Sequence, residues 1–113
     1  MLLSLPIKQP VNANERNDLK AFIGQKLMLD FRYFCESPVP DCRTPMTQLP
    51  NSLKALIAKH NIGGVVLFSE NLTSATQIKT LTNDLQTAAT KSSLGLPLFI
   101  AIDQEGGRVA RLP

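Results

Sequence analysis

With 113 residues, 43% of them hydrophobic and 19% charged, the chain is long enough for one small core and too apolar for a disordered segment. Its formal charge of +3 comes from interspersed bases and acids, and it has five Phe, one Tyr and no Trp, so composition offers nucleic acid no binding patch. No apolar run approaches the ~20 residues that cross a bilayer, so no membrane span is expected.

Residues 1–14 read as an N-terminal tail. Met1-Leu2-Leu3-Ser4-Leu5 is apolar but short, and no basic stretch precedes it. Val11-Asn12-Ala13 has the small-x-small form of a signal-peptidase site, so the segment is either a plain tail or the end of an export signal that starts upstream. From about Glu15 a helix is expected, with Leu19, Phe22, Ile23 and Leu27 on one face. Gly24 weakens that helix by about 1 kcal/mol relative to Ala, which points to close backbone packing there.

The apolar stretch Leu27 to Phe34 contains a strand, interrupted by Asp30 and Arg32, whose side chains either point into a barrel or pair with each other. A long loop marked by Pro38, Pro40, Pro45 and Pro50 follows. Within it, Cys35 and Cys42 either close a disulfide, which implies an oxidising compartment, or remain two free thiols of a cytoplasmic protein. With His60 as the single histidine, no four-ligand zinc set can be assembled. Asn51 is placed to cap a short helix whose buried face is Leu53, Leu56 and Ile57, and whose end carries His60, where an imidazole suits the helix carbonyls better than catalysis.

Ile62-Gly63-Gly64-Val65-Val66-Leu67-Phe68 has no polar alternation and suits a strand buried on both faces of a parallel sheet. Ser74 and Gln77 have capping-box spacing ahead of a helical stripe of Ile78, Leu81, Leu85 and Ala88, which Gly95 and Pro97 close. Leu98 to Ile102 is a second buried strand, giving a βαβ unit with a right-handed crossover. The expected fold is α/β: parallel strands alternating with helices over residues 15–113. Two or three parallel strands cannot close a (β/α)₈ barrel, which takes about 250 residues, so the stretch is expected to be a truncated piece of a larger domain.

The chemistry-bearing stretch is Asp103-Gln104-Glu105-Gly106-Gly107-Arg108-Val109-Ala110-Arg111. A carboxylate directly after a buried strand sits where parallel α/β folds bind ligands, or else caps the next turn. Gly106-Gly107 allows a tight turn or a close approach to ligand but lacks dinucleotide-fingerprint spacing. Arg108 and Arg111 either serve a ligand or pair with Glu105 and Asp103. Asp103 and Glu105 are too close in sequence to face each other across a sugar as an acid/base pair.

Ile62 to Phe68, Glu70-Asn71-Leu72 and the string Asp103-Gln104-Glu105-Gly106-Gly107-Arg108, with Arg111-Leu112 behind it, resemble the N-terminal part of glycoside hydrolase family 3, most of all its β-N-acetylglucosaminidase branch. Gly24-Gln25-Lys26-Leu27-Met28 is similar to that family's opening helix-to-strand segment. The resemblance implies a (β/α)₈ (TIM) barrel and retaining hydrolysis through a glycosyl-enzyme. It implies sugar-binding roles for Asp103 and Arg111, an oligosaccharide ending in N-acetylglucosamine as substrate, and no metal or organic cofactor. The family's nucleophilic aspartate, its histidine acid/base and a lysine-histidine pair lie downstream of the matched string, so no catalytic residue is assigned and this chain alone is expected to be inactive. The compartment stays open between bacterial cytoplasm and periplasm. A non-catalytic carbohydrate-binding or structural fragment, and the first part of a family 3 β-glucosidase, are the alternatives.

Overall fold

The computed structural model describes residues 12–112. The apolar opening Met1 to Leu5 and Val11 of the signal-peptidase pattern lie outside them. Of the expected tail, Asn12, Ala13 and Asn14 are described, and they open a helix. Helix α1 runs from Ala13–Gly24, two residues ahead of the expected start, because Asn12 builds a capping box. Its side chain accepts from the Glu15 amide at 2.8 Å, and its own amide donates to the Glu15 carboxylate at 3.0 Å.

The elements then follow as strand β1 (Met28–Asp30), helix α2 (Asn51–His60), strand β2 (Gly64–Leu67), a 3₁₀ turn at Ser69–Asn71, helix α3 (Ala75–Thr90) and strand β3 (Phe99–Ile102). All three strands are parallel, in the order β1-β2-β3. Val65 stands beside Leu29 on one side and Ile100 on the other. The pleat sends Val65 and Leu67 to the face covered by α2 and α3, where Ile57, Leu81 and Leu85 complete the core. The stripe expected on α3 is buried there, with Ile78 partly so.

Two caps differ from expectation. Pro50, not Asn51, is the N-cap of α2; its carbonyl accepts from the Lys54 amide at 2.9 Å, and Asn51 lies already inside the first turn. At α3, Ser74 accepts from the Gln77 amide at 3.2 Å as expected, but the Gln77 side chain accepts from Thr73 instead of Ser74. Its Nε2 is drawn away to the carbonyls of Thr47 and Asn71, at 2.6 and 3.0 Å.

Gly24 marks a close approach, as its cost to the helix implied. A Cβ there would lie 1.8 Å from the His60 carbonyl oxygen, and one at Gly63 would lie 2.1 Å from that of Gln25. The end of α1 thus touches the α2–β2 turn backbone to backbone, and the Gly63 amide donates to the Gly24 carbonyl at 3.0 Å. Asn61 fastens the same turn. It is left-handed (φ 51°) and buried, and its side-chain oxygen accepts from the Ser93 hydroxyl and the Leu94 amide. His60 ends α2 with its side chain exposed.

The expected inward face of α1 is not covered. Leu19, Phe22, Ile23 and Leu27 are 45–58% exposed, and only Ala21 and Gly24 of the helix are buried. Strand β3 is likewise not buried on both faces: it is an outer strand of this sheet, and Phe99 is 78% exposed. Periodicity identified the apolar side of each element, but the described residues supply no layer to cover it. These faces and the unpaired edge of β3 favour association. Sedimentation velocity of the 113-residue chain should therefore show species that grow with concentration; a monomer at every concentration would contradict this. No helix among the described residues is long and apolar enough to cross a membrane.

Candidate functional site

Parallel pairing puts the ends of β1, β2 and β3 on one rim, and the polar residues that follow each strand gather there. After β3 the chain turns sharply at Gly106 and Gly107, whose φ values of 80° and 57° require glycine-like freedom. The turn is closed by bonds between Gly106 and Val109 in both directions, 3.1 Å each. Nothing lies within 4 Å of a Cβ at either glycine, so the pair serves chain reversal and not close packing.

The reversal returns Arg111 to Asp103. Arg111 Nε donates to Asp103 Oδ1 at 2.9 Å and Nη2 donates to Oδ2 at 2.8 Å, a two-pronged ion pair. Gln104 braces it by accepting from the Arg111 amide at 2.7 Å. The Arg111 hydrogen bond, with its charge and that of Arg32 adding, holds the Asp103 carboxyl below its ordinary value against the opposing cost of burial. The same bond raises Arg111, and Glu70 and Glu105 act in that direction. Both side chains keep 28% of their surface open, so the carboxylate retains free lone pairs and the guanidinium free donors. Arg108 and Glu105 are exposed and form no ion pair with each other among the described residues.

A second cluster lies beside this pair, at the ends of β1 and β2. Asp30 and Arg32 do not pair through their side chains. The Asp30 carboxylate instead accepts from the Arg32 amide at 2.6 Å, and the Arg32 guanidinium lies over the Phe68 ring, 3.6 Å from its centre. Glu70 accepts from the Tyr33 hydroxyl at 3.1 Å and from Ser69 at 3.0 Å, with Arg32 at 3.9 Å. Backbone hydrogen bonding first, then Ser69, Tyr33 and Arg32, keep the Glu70 carboxyl below its ordinary value. The hydrogen bond to Glu70 pushes the Tyr33 phenol up.

Arg32 and Tyr33 begin an arm that runs out to the loop and back. The Phe34 amide donates to the Thr44 carbonyl at 2.9 Å, the Met46 amide donates to the Arg32 carbonyl at 3.1 Å, and a disulfide joins Cys35 and Cys42 at the tip. The two thiols are therefore paired, which spacing alone left open.

The two residues singled out as sugar contacts, Asp103 and Arg111, are thus brought together, and the turn that joins them was legible in Gly106-Gly107. Glu70, Tyr33 and Asn71 were missed as a group. The available signal was positional: Glu70 lies in the turn just past the end of β2, on the same rim where Asp103 directly follows β3.

The family model for the glycosyl hydrolase family 3 N-terminal domain matches residues 22–113. Beta-hexosaminidase A of Pseudoalteromonas piscicida is 59% identical over 93 residues, which are 80% of this chain and 16% of that protein. Among solved structures, a family 3 beta-N-acetylglucosaminidase from Paenibacillus sp. str. FPU-7 superposes with a TM-score of 0.65 at 33% identity, covering 84% of this chain and 15% of that one. NagZ from Neisseria gonorrhoeae, solved with N-trifluoroacetyl-D-glucosamine, gives a TM-score of 0.55 at 30% identity, covering 77% and 20%. The chain spans only about a sixth of its first relative's length, and its three parallel strands are an incomplete arc of the family's barrel. On the match over residues 22–113, this chain belongs to glycosyl hydrolase family 3, within the family's N-terminal domain.

Proposed function

We propose that the rim holding Asp103 and Arg111 is the sugar-binding part of a retaining exo-β-N-acetylglucosaminidase. The parent enzyme would remove terminal β-linked N-acetylglucosamine from peptidoglycan fragments or chitin-type oligosaccharides. The observation that carries this reading is the two-pronged Asp103–Arg111 pair at the carboxyl end of a parallel strand, where this architecture binds ligands. Sugar hydroxyls are both donors and acceptors, and this pair offers acceptor and donor sites side by side. The names and ligand of the relatives support N-acetylglucosamine as the sugar held.

In this reading the segment binds and does not cleave. Asp103 is ion-paired with Arg111, Glu70 is held by three partners, and the family resemblance puts the nucleophile and the acid/base farther along. The 113-residue chain, incubated with a chromogenic N-acetyl-β-glucosaminide, should give no turnover above buffer. Turnover lost on changing a residue of this chain would overturn the assignment of binding alone.

A further inference from the structure

Asn71 is fully buried, and its carboxamide is engaged on both sides. Nδ2 donates to the Met46 carbonyl at 2.8 Å and is shared with those of Phe31 and Arg32, 3.3 Å each. Oδ1 accepts from the Phe68 amide at 3.0 Å. One side chain therefore ties together the outgoing limb of the arm, its return limb and the end of β2. The arm's own backbone bonds and its disulfide join the arm only to itself. Gln77 reaches the return limb at Thr47 but not the outgoing one. The β1–β2 ladder ends at Asp30, and past it Asn71 carries the hydrogen bonds from the end of β2 to the backbone of the outgoing limb at Phe31 and Arg32.

We propose that Asn71 is a positioning residue: its carboxamide sets where the β1 exit arm crosses the end of β2 and so holds Tyr33 and Arg32 against Glu70 beside the Asp103–Arg111 pair. Its importance for sugar binding rests on the function proposed above; the positioning itself does not. The geometry needs two donors and an acceptor within one short side chain, which asparagine has and aspartate or serine lacks.

Tyr33 is the single tyrosine and there is no tryptophan, so the tyrosinate absorbance of the full 113-residue chain comes from Tyr33 alone. The wild-type midpoint should lie above the ordinary phenol value of about 10. Glu70→Ala, which removes both the acceptor and the charge facing the phenol, should lower it and supply the reference for a lost contact. Asn71→Ala should lower it to about that reference while the helical circular dichroism stays at the wild-type level. A wild-type midpoint in folded Asn71→Ala would overturn the proposal. If Asn71→Ala loses its helical signal, Asn71→Ser takes its place under the same criterion, and loss of helix in both variants would also overturn it, in favour of a purely structural amide. No sugar enters the titration, so its failure is distinguishable from failure of the sugar-site reading, which shows only in the kinetics of Asp103 variants.

Discussion

In the complete enzyme, Asp103→Ala should lower kcat/KM at least about tenfold. A hydrogen bond to a charged group is strong enough that losing one costs roughly a factor of ten, and a carboxylate at this rim can accept from more than one hydroxyl. The loss has a second part: without Asp103, the Arg111 guanidinium loses both of its anchoring bonds and no longer presents its remaining donors in one place. Arg111→Ala should therefore act in the same direction, and the double variant should lose less than the two single losses combined, as expected for groups that work as a unit. Steady-state kinetics beside thermal unfolding tests this. An unchanged kcat/KM would remove the sugar-binding role, and a loss explained by unfolding would make Asp103 a turn cap. The pair also predicts a pH dependence. Asp103 titrates below its unfolded-state value, so its contribution to stability is present above the ordinary carboxylate range and disappears as pH falls through the lowered value.

The largest effect on stability should come from Gly24→Ala. Alanine is favoured over glycine within a helix by about 1 kcal/mol, which alone would stabilise α1. The added Cβ, however, would fall 1.8 Å from the His60 carbonyl oxygen and 2.9 Å from that of Asn61. Both are backbone atoms, and neither can rotate away as a side chain would. Overpacking typically costs about 1–3 kcal/mol and sometimes more, and an obstruction by rigid backbone belongs at the upper end. A net destabilisation of about 2 kcal/mol or more is expected, readable as a lower urea midpoint at matched protein concentration. Gly63→Ala should behave alike, since it meets Gln25 from the other side of the same contact. A midpoint at or above wild type would show that α1 does not dock there.

The strands were legible because Val65-Val66-Leu67 and Phe99-Ile100-Ala101-Ile102 are apolar runs too short for helices and bounded by glycine, proline or charge. Helix α3 was legible because Leu81, Leu85 and Ala88 repeat at its period. The same periodicity misled at α1, where it identified an apolar side without saying what covers it. The capping box of Asn12 was overlooked because Asn12 lies within a pattern that also reads as a processing site. Asn71 left no periodic trace at all: its role depends on the carbonyls of Phe31, Arg32 and Met46, which are distant in sequence and meet only after the sheet has formed. The cysteine pair was ambiguous for a related reason, since a seven-residue separation fits a closed or an open loop and the backbone rungs of the arm decide it.

The order β1-β2-β3 has a consequence for synthesis on the ribosome. Chain order and sheet order coincide, so each new strand adds to the flank laid down just before it, and none must insert between two that are already paired. Growth of this kind needs no rearrangement of earlier hydrogen bonds. As the nascent chain emerges from its N-terminus, β1 can receive β2 once α2 has been made, and β2 can receive β3 once α3 has been made. Every stage of this assembly ends with one unpaired strand flank facing the direction of further elongation.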